Sequence, residues 1–458
     1  MTNTNRFDIT KLWTYLFLFF LALIPLALYN VSLYVLIFFV VSFLLIYKFN
    51  IPKYGIFIFI IAITVRLFII FSLDTPPASD FAVLLNASRS LINGDLSFLE
   101  DGYFKLWSYQ MGFVYFQSLL LRIWDSIIIL KLFNCLVCAA TVCLIYLIAR
   151  EFVCEKAAQV ASLLYCFFAF PLFYVTVLTN QFLASFLIYF GLYIVIAKGI
   201  KLSCFLRYLI FAVLLAFSNV IRPESIIPLF SAVIFLVITV NKSSWKKNLL
   251  NVLILVGTYY LLFNLISNVF VWTGLSPNGL TNNAPLWKFV LGFNHETNGM
   301  YTDNDGAYLL DQTAALQIVK ERVFVSAEEL FDLFKNKVVV FWGGQGIEWS
   351  LEHTFGGWHN LLNKSMWSIY LVLNNAAVTM VMLLYVLCII GIAKYSKQSN
   401  RDTRILLFIN QVFVTFGVYL LIEVQGRYAY HVQISLAVLA ALGIAAISDK
   451  IKQTKRTE

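Results

Sequence analysis

Of the 458 residues, 61% are hydrophobic and only 12% are charged, a balance that no soluble globular class shares and that repeated bilayer-length apolar runs explain. The formal charge of +9 does not point to nucleic acid, because Lys and Arg gather in short loops between apolar runs, as orientation signals do. The seven cysteines (Cys135, Cys138, Cys143, Cys154, Cys166, Cys204 and Cys388) lie in or beside apolar runs without paired histidines at zinc spacing, which excludes a zinc module. Cys135 and Cys138 form a CxxC, but inside a membrane helix, where small packing residues explain it.

Apolar segments predict helices at about 12–29, 31–47, 55–73, 127–149, 157–178, 181–197, 204–221, 225–240, 249–271, 366–393, 405–422 and 432–447. The first follows Arg6 and Lys11 and has no small-residue cleavage site, so it is expected to be a retained helix rather than a signal peptide. The expected class is an all-α polytopic membrane protein of about 12–13 transmembrane helices, with interfacial helices in the outer loops. It divides into a hairpin at 1–54, a main module at 55–271 whose first outer loop is 74–126, an extracytoplasmic region at 272–365, and C-terminal helices with a basic cytoplasmic tail at 366–458.

Charge fixes the expected orientation. Arg6 and Lys11, Lys48 and Lys53, Arg150 and Lys156, Lys198 to Arg207, Lys242 to Lys247, the loop from Lys394 to Arg404 and the tail from Lys450 to Arg456 all fall on one side of alternating spans. That side is the cytoplasm, provided that the further apolar stretch 109–124 does not cross and is interfacial or re-entrant. The opposite face then collects the polar corners: loop 74–126, Thr179-Asn180, Arg222-Pro223-Glu224, segment 272–365 and the turn from Glu423 to His431. It also holds most of the acids, among them Asp95, Glu100, Asp101, Glu296, Asp303, Asp305, Asp311, Glu348 and Glu352. An anchor has no use for such segregation; a site fed from the outer leaflet does. Segment 272–365 carries Gly-aromatic patches, Phe341 to Gly346 and Phe355 to Trp358, and amphipathic periodicity between Ala307 and Val340. Loops of that length are usually functional.

Moving a sugar from a polyprenyl phosphate to an outer acceptor needs cations to meet the lipid-anchored phosphate and one carboxylate to take the acceptor's proton. On the appropriate face the chain offers Asp80 as base, and Lys105, Arg222 and Arg427 as phosphate contacts. Each has a plainer reading: Asp80 as a solvated loop acid, Lys105 as an interfacial lysine with its head in water, and Arg222 as the partner of Glu224. Glu423 and Arg427 either pair with each other or hold substrate. Asn180, Glu224, Glu423, Tyr428 and His295 complete the candidate substrate-binding set. The oxygen donors around Asn294-His295-Glu296 and Asp303-Asn304-Asp305 lack a calcium-loop spacing, and His295 and His353 stand alone. No cofactor is expected; the chemistry leaves room for a divalent cation, but none is predicted.

At these residues the chain resembles the GT-C superfamily of integral-membrane glycosyltransferases, close to the protein-mannosyltransferase and aminoarabinose-transferase branch. The resemblance rests on Ser79-Asp80 followed by Ala87 and Gly94, Met111-Gly112-Phe113, Leu132-Phe133-Asn134, Tyr146 to Arg150, Ala157 to Pro171, Leu178-Thr179-Asn180-Gln181, and Glu423 to Tyr428. It covers residues 55 to 240 well and the C-terminal part loosely. It implies an outward-facing, inverting transferase that uses a polyprenyl-phosphate sugar, with Asp80 as base and with Lys105, Arg222 and Arg427 at the donor phosphate. Three departures stand out. Two extra spans precede the usual first helix, Asn180 replaces an acid common in relatives, and the Pro-Pro that usually precedes the helix at 111 is missing. The style of the chain is similar to bacterial members that modify cell-surface polysaccharide or teichoic acid, which implies a multi-pass protein of the bacterial cytoplasmic membrane and an acceptor that is glycan, lipid or protein. The competing readings are a flippase or transporter of lipid-linked glycans, for which no internal repeat is found, and a polysaccharide polymerase, whose outer loops would be rich in arginine.

Overall fold

The computed structural model describes residues 9–23, 32–240, 243–343 and 364–457, and among these the chain is helical without a strand. Arg6, Lys242, Gly344 to Gly346, Glu348, Glu352, His353 and Phe355 to Trp358 lie outside the described residues. The apolar helices are α1 (Ile9–Leu23), α2 (Leu33–Lys48), α3 (Tyr54–Ser72), α7 (Ile127–Arg150), α8 (Glu155–Cys166), α9 (Ala169–Tyr174), α10 (Gln181–Ile196), α11 (Cys204–Ile221), α12 (Ile226–Ile238) and α13 (Trp245–Trp272). After the outer region come α17 (Lys364–Ser396), α18 (Leu406–Leu421) and α19 (Tyr430–Thr457). Among the described residues seven helices are long and apolar enough to cross a bilayer, namely α3, α7, α11, α13, α17, α18 and α19, and four shorter apolar helices accompany them. The protein is a multi-pass, all-α membrane protein.

Two of the sequence expectations change. Segment 157–178 is not one helix: α8 ends at Cys166 and α9 restarts at Ala169. Pro171 gives the reason, since a proline in a continuous helix would clash with the carbonyl four residues back, at Phe167, whereas in the first turn of α9 its missing N–H costs nothing. The last helix runs through the basic tail to Thr457 rather than stopping near 447. The stretch at 109–124 forms α6 (Met111–Ile123), whose 13 residues span roughly 20 Å at 1.5 Å per residue, short of the ~30 Å hydrocarbon core. It packs beside α4 (Ser79–Ile92), α7 and α11.

Small residues let the helices close on one another. A Cβ on Gly443 would lie 2.0 Å from the Leu387 carbonyl oxygen, and one on Gly391 would lie 2.5 Å from the Gly443 nitrogen, so α17 and α19 meet backbone to backbone. Gly112 does the same for the site: its Cβ would fall 2.0 Å from the Val220 carbonyl oxygen, so α6 rests on the last turn of α11, next to Arg222. Arg66, in mid-α3, is fully buried and donates to the Ala62 carbonyl at 3.0 Å.

The charges segregate as alternation of spans requires. At one end Lys156 donates to the Phe49 carbonyl, the Lys198 amide to Glu151 (3.0 Å), and Arg404 lies 3.5 Å from Glu151. Lys394 pairs with Asp449 at 2.7 Å at the same end. The opposite end gathers loop 74–126, the Thr179-Asn180 and Arg222–Glu224 corners, residues 273–343 and the 423–428 turn. There residues 273–343 build a small core of their own. Ala284, Trp287, Val290 and Leu291, from and around α14 (Trp287–Gly292), are buried against Ala315 of α15 (Gln312–Val323). Arg322 clasps Asp305 with two bonds, 2.7 and 2.9 Å, and Ser326 with Glu329 forms a capping box on α16 (Ala327–Trp342).

Adding one methyl separates close contact from mere helix composition. Gly443→Ala should destabilise the detergent-purified protein by roughly 1–3 kcal/mol, whereas Gly417→Ala, where nothing lies within 4 Å, should leave its thermal midpoint unchanged or raised.

Candidate active site

The first polar loop delivers Asp80. Pro76-Pro77 holds the chain extended after α3, Lys131 of α7 donates to the Thr75 carbonyl at 3.0 Å, and Ala78 remains extended. Ser79 takes φ +49°, a conformation uncommon for a residue with a side chain, and the chain then turns at once into α4 with Asp80 in its first turn. A carboxylate there sits at the positive end of the helix. Asp80 is exposed, and among the described residues no hydrogen bond or ion pair occupies its carboxylate. It opens on a cavity of about 270 Å³.

The second wall is the Arg222 corner. The Arg222 guanidinium pairs with Glu224 at 2.6 Å and donates to Asn180 Oδ1 at 2.9 Å, while Asn180 Nδ2 donates to the Ile221 carbonyl at 3.1 Å. Asn180 therefore fixes both the end of α11 and the head of its arginine. Burial works against both charges, but each offsets the other's loss of water. The Glu224 carboxyl is held below its usual range by Arg222, and the guanidinium is held above its own by Glu224. Of the two readings open in the sequence for Arg222, the ion pair is present, and the same side chain lines the cavity.

The third wall comes from the C-terminal corner and the outer region together. Glu423 is 1% exposed and pairs with Lys288 of α14; its amide also donates to the Lys288 carbonyl at 2.8 Å. Gln425 donates to Glu423 and accepts from Arg427 Nε at 2.6 Å. Glu423 and Arg427 thus share Gln425 rather than contacting each other. Arg427 also reaches Tyr174 Oη at 3.4 Å, and Gln181 Nε2 donates to its carbonyl at 2.8 Å. Burial opposes the charge of Lys288, yet Tyr428 and Glu423 hold its ammonium above the usual range.

Tyr428 stands at the centre. The heads of Arg222, Lys288 and Arg427 lie 5.4, 5.6 and 5.5 Å from its ring centroid. Its negative π face is a fixed counterweight to three positive heads that would otherwise repel. Tyr109, which lines the same cavity, is pushed up to about 12 by burial and is a neutral phenol. The cavity thus carries three cations and three acids, and two of the acids are bound to cations.

Asp80, Asn180, Arg222, Glu224, Glu423, Arg427 and Tyr428 meet on this one cavity. Lys105 does not. It is half exposed on the short helix α5 (Gly102–Leu106) and pairs at 2.8 Å with Glu100, five residues earlier in its own loop. His295 is also elsewhere, part-buried and bonded through Nε2 to the Arg322 carbonyl at 2.8 Å. In the Asn294 and Asp305 stretches several of the oxygen donors are engaged. Asp305 takes Arg322 and Asn294, and Asn294 Oδ1 accepts the amides of Glu296 and Thr297. Lys288 is the cation that the sequence reading missed. Its one signal is a lysine set within the apolar run Leu286 to Phe293, outside any span.

No family model matches the chain, and no curated protein matches it in sequence. Solved structures similar to it include the crystal structure of the Archaeoglobus fulgidus oligosaccharyltransferase in the apo form, at 14% identity and a TM-score of 0.49. Another is the archaeal oligosaccharyltransferase AglB from Archaeoglobus fulgidus in complex with an inhibitory peptide and a dolichol-phosphate, at 15% identity and a TM-score of 0.42. Each match covers 89% of this chain and 52% of the other, so the chain spans about half the length of the solved proteins it matches.

The largely buried Arg222–Glu224 pair, with side chains 18% and 14% exposed, supplies a stability test. Glu224→Ala strands the Arg222 charge and should cost about 3–5 kcal/mol, while Arg222→Met with Glu224→Met should recover most of the loss. Thermal unfolding of the purified variants measures both.

Proposed function

We propose that the chain is an inverting glycosyltransferase of the GT-C type that moves a sugar from a polyprenyl-phosphate donor to an extracytoplasmic acceptor. One observation carries the reading: an unengaged carboxylate and three cations grouped on one tyrosine ring open on the same cavity at one end of a membrane bundle. The acceptor is a hydroxyl-bearing glycan, teichoic acid, lipid or protein. The site lies on the outer face of a bacterial cytoplasmic membrane, opposite the basic loops.

The steps follow from the residues. Asp80 accepts the proton of the acceptor hydroxyl as that oxygen attacks the anomeric carbon. The bond from that carbon to the phosphate oxygen breaks, and the electron pair leaves with the lipid phosphate. Arg222, Lys288 and Arg427 are already positioned where negative charge grows on the departing oxygens, so no reorganisation is needed as the bond breaks. Phosphate is a good leaving group, and the reading calls for neither a strong general acid nor a cofactor. Glu224, Glu423 and Asn180 aim the cations, and Tyr428 spaces them. Lys288 takes the phosphate role expected of Lys105, and His295 has no part.

Asp80→Asn should retain folding and membrane insertion while lowering transfer by about a hundredfold or more; activity near wild type in a radiolabelled-sugar transfer assay would remove the base assignment. Lys288→Met should weaken use of the polyprenyl-phosphate donor by at least about tenfold with little effect on acceptor KM, whereas Lys105→Ala should change neither appreciably. Externally added thiol reagent should label a cysteine placed at position 80 and miss one placed at position 244.

A further inference from the structure

Lys337 is the least exposed lysine near the site, 1% accessible, and it does not line the cavity. It projects from α16 of the outer region, and its Nζ donates to three backbone carbonyls: Gly292 at 2.7 Å, Leu420 at 2.7 Å and Ile422 at 2.9 Å. These carbonyls have one thing in common. Leu420 and Ile422 lie at the C-terminal end of α18, and Gly292 is the last residue of α14. Terminal carbonyls of helices lack intrahelical partners and carry the negative end of the dipole. Two such ends turned toward each other repel, and one ammonium with three donors satisfies both.

The two helices are those that feed the third wall. Glu423 follows α18 by two residues, and Lys288 is the second residue of α14. The join is close elsewhere as well: a Cβ on Gly292 would lie 2.5 Å from the Ile422 carbonyl carbon, and the Val424 amide donates to the Gly299 carbonyl at 2.9 Å. We propose that Lys337 is a positioning residue that sets the Lys288–Glu423 wall of the cavity by bridging the C-terminal ends of α14 and α18. The effect on donor binding rests on the transferase reading; the effect on the backbone does not.

Hydrogen–deuterium exchange on the full-length protein in lipid nanodiscs tests the bridge. Lys337→Met removes the donors at nearly constant volume. It should speed exchange of the Glu423 and Val424 amides about tenfold or more, as expected for three stranded carbonyls, while α7 and α19 keep wild-type protection. Binding of undecaprenyl phosphate should weaken about tenfold in the same variant, and Lys337→Arg should restore part of both. If the methionine variant fails to fold, Lys337→Gln against Lys337→Arg carries the same comparison. Wild-type exchange at 423–424 in the donor-free variant overturns the bridge. Faster exchange there, in a protein whose wild-type form does not bind undecaprenyl phosphate, sustains the bridge and removes the transferase reading instead.

Discussion

The arrangement depends on keeping three positive heads around one tyrosine ring at the edge of a hydrocarbon-bounded bundle. Cations so close repel, and each has given up much of its hydration. Tyr428 answers with its π face, Glu224 and Glu423 answer with charge, and Asn180 and Gln425 answer with amide oxygens. Every one of these comes from a polar corner between helices, where a few non-apolar residues interrupt long hydrophobic runs. The bundle supplies rigidity; the corners supply the polar groups.

What holds the corners in register is backbone contact as much as side chains. Gly112 lets α6 rest on the Val220 carbonyl two residues before Arg222, and Gly292 lets α14 rest on Ile422 one residue before Glu423. A cation is thereby set by a helix end that cannot shift without a clash. The segment 273–343 is part of this construction, since it contributes Lys288 directly and ties itself to α18 through Lys337. Residues 273–343 are a wall of the site rather than a decoration on it.

Much of this could be read in the sequence because membranes enforce simple rules. Apolar runs gave the helices, and the alternation of basic loops gave two chemically distinct ends. Asn180, Arg222, Glu224, Glu423, Arg427 and Tyr428 were visible as polar interruptions, and they do converge on the cavity that Asp80 faces. The break at Pro171 was legible in principle, but an unbroken apolar composition outweighed the proline. Lys105 and Lys288 mark the boundary of such reasoning. Both are single lysines in outer segments, and only tertiary packing, which turns Lys288 inward beside Glu423 and leaves Lys105 with its neighbour Glu100, separates them. The two readings of Arg222 were alternatives only on paper, because one guanidinium has enough N–H groups to hold Glu224 and still face the cavity.

The cavity draws one wall from residue 80, one from 180–224, and the last from 288 and 423–428. A chain emerging from the ribosome and threading into the bilayer in order therefore presents Asp80 and Arg222 before Lys288 or Tyr428 has been made. The pocket is complete only once α18 and α19 have inserted, so a chain stopped between Glu224 and Lys288 holds two walls of the basin and lacks the third.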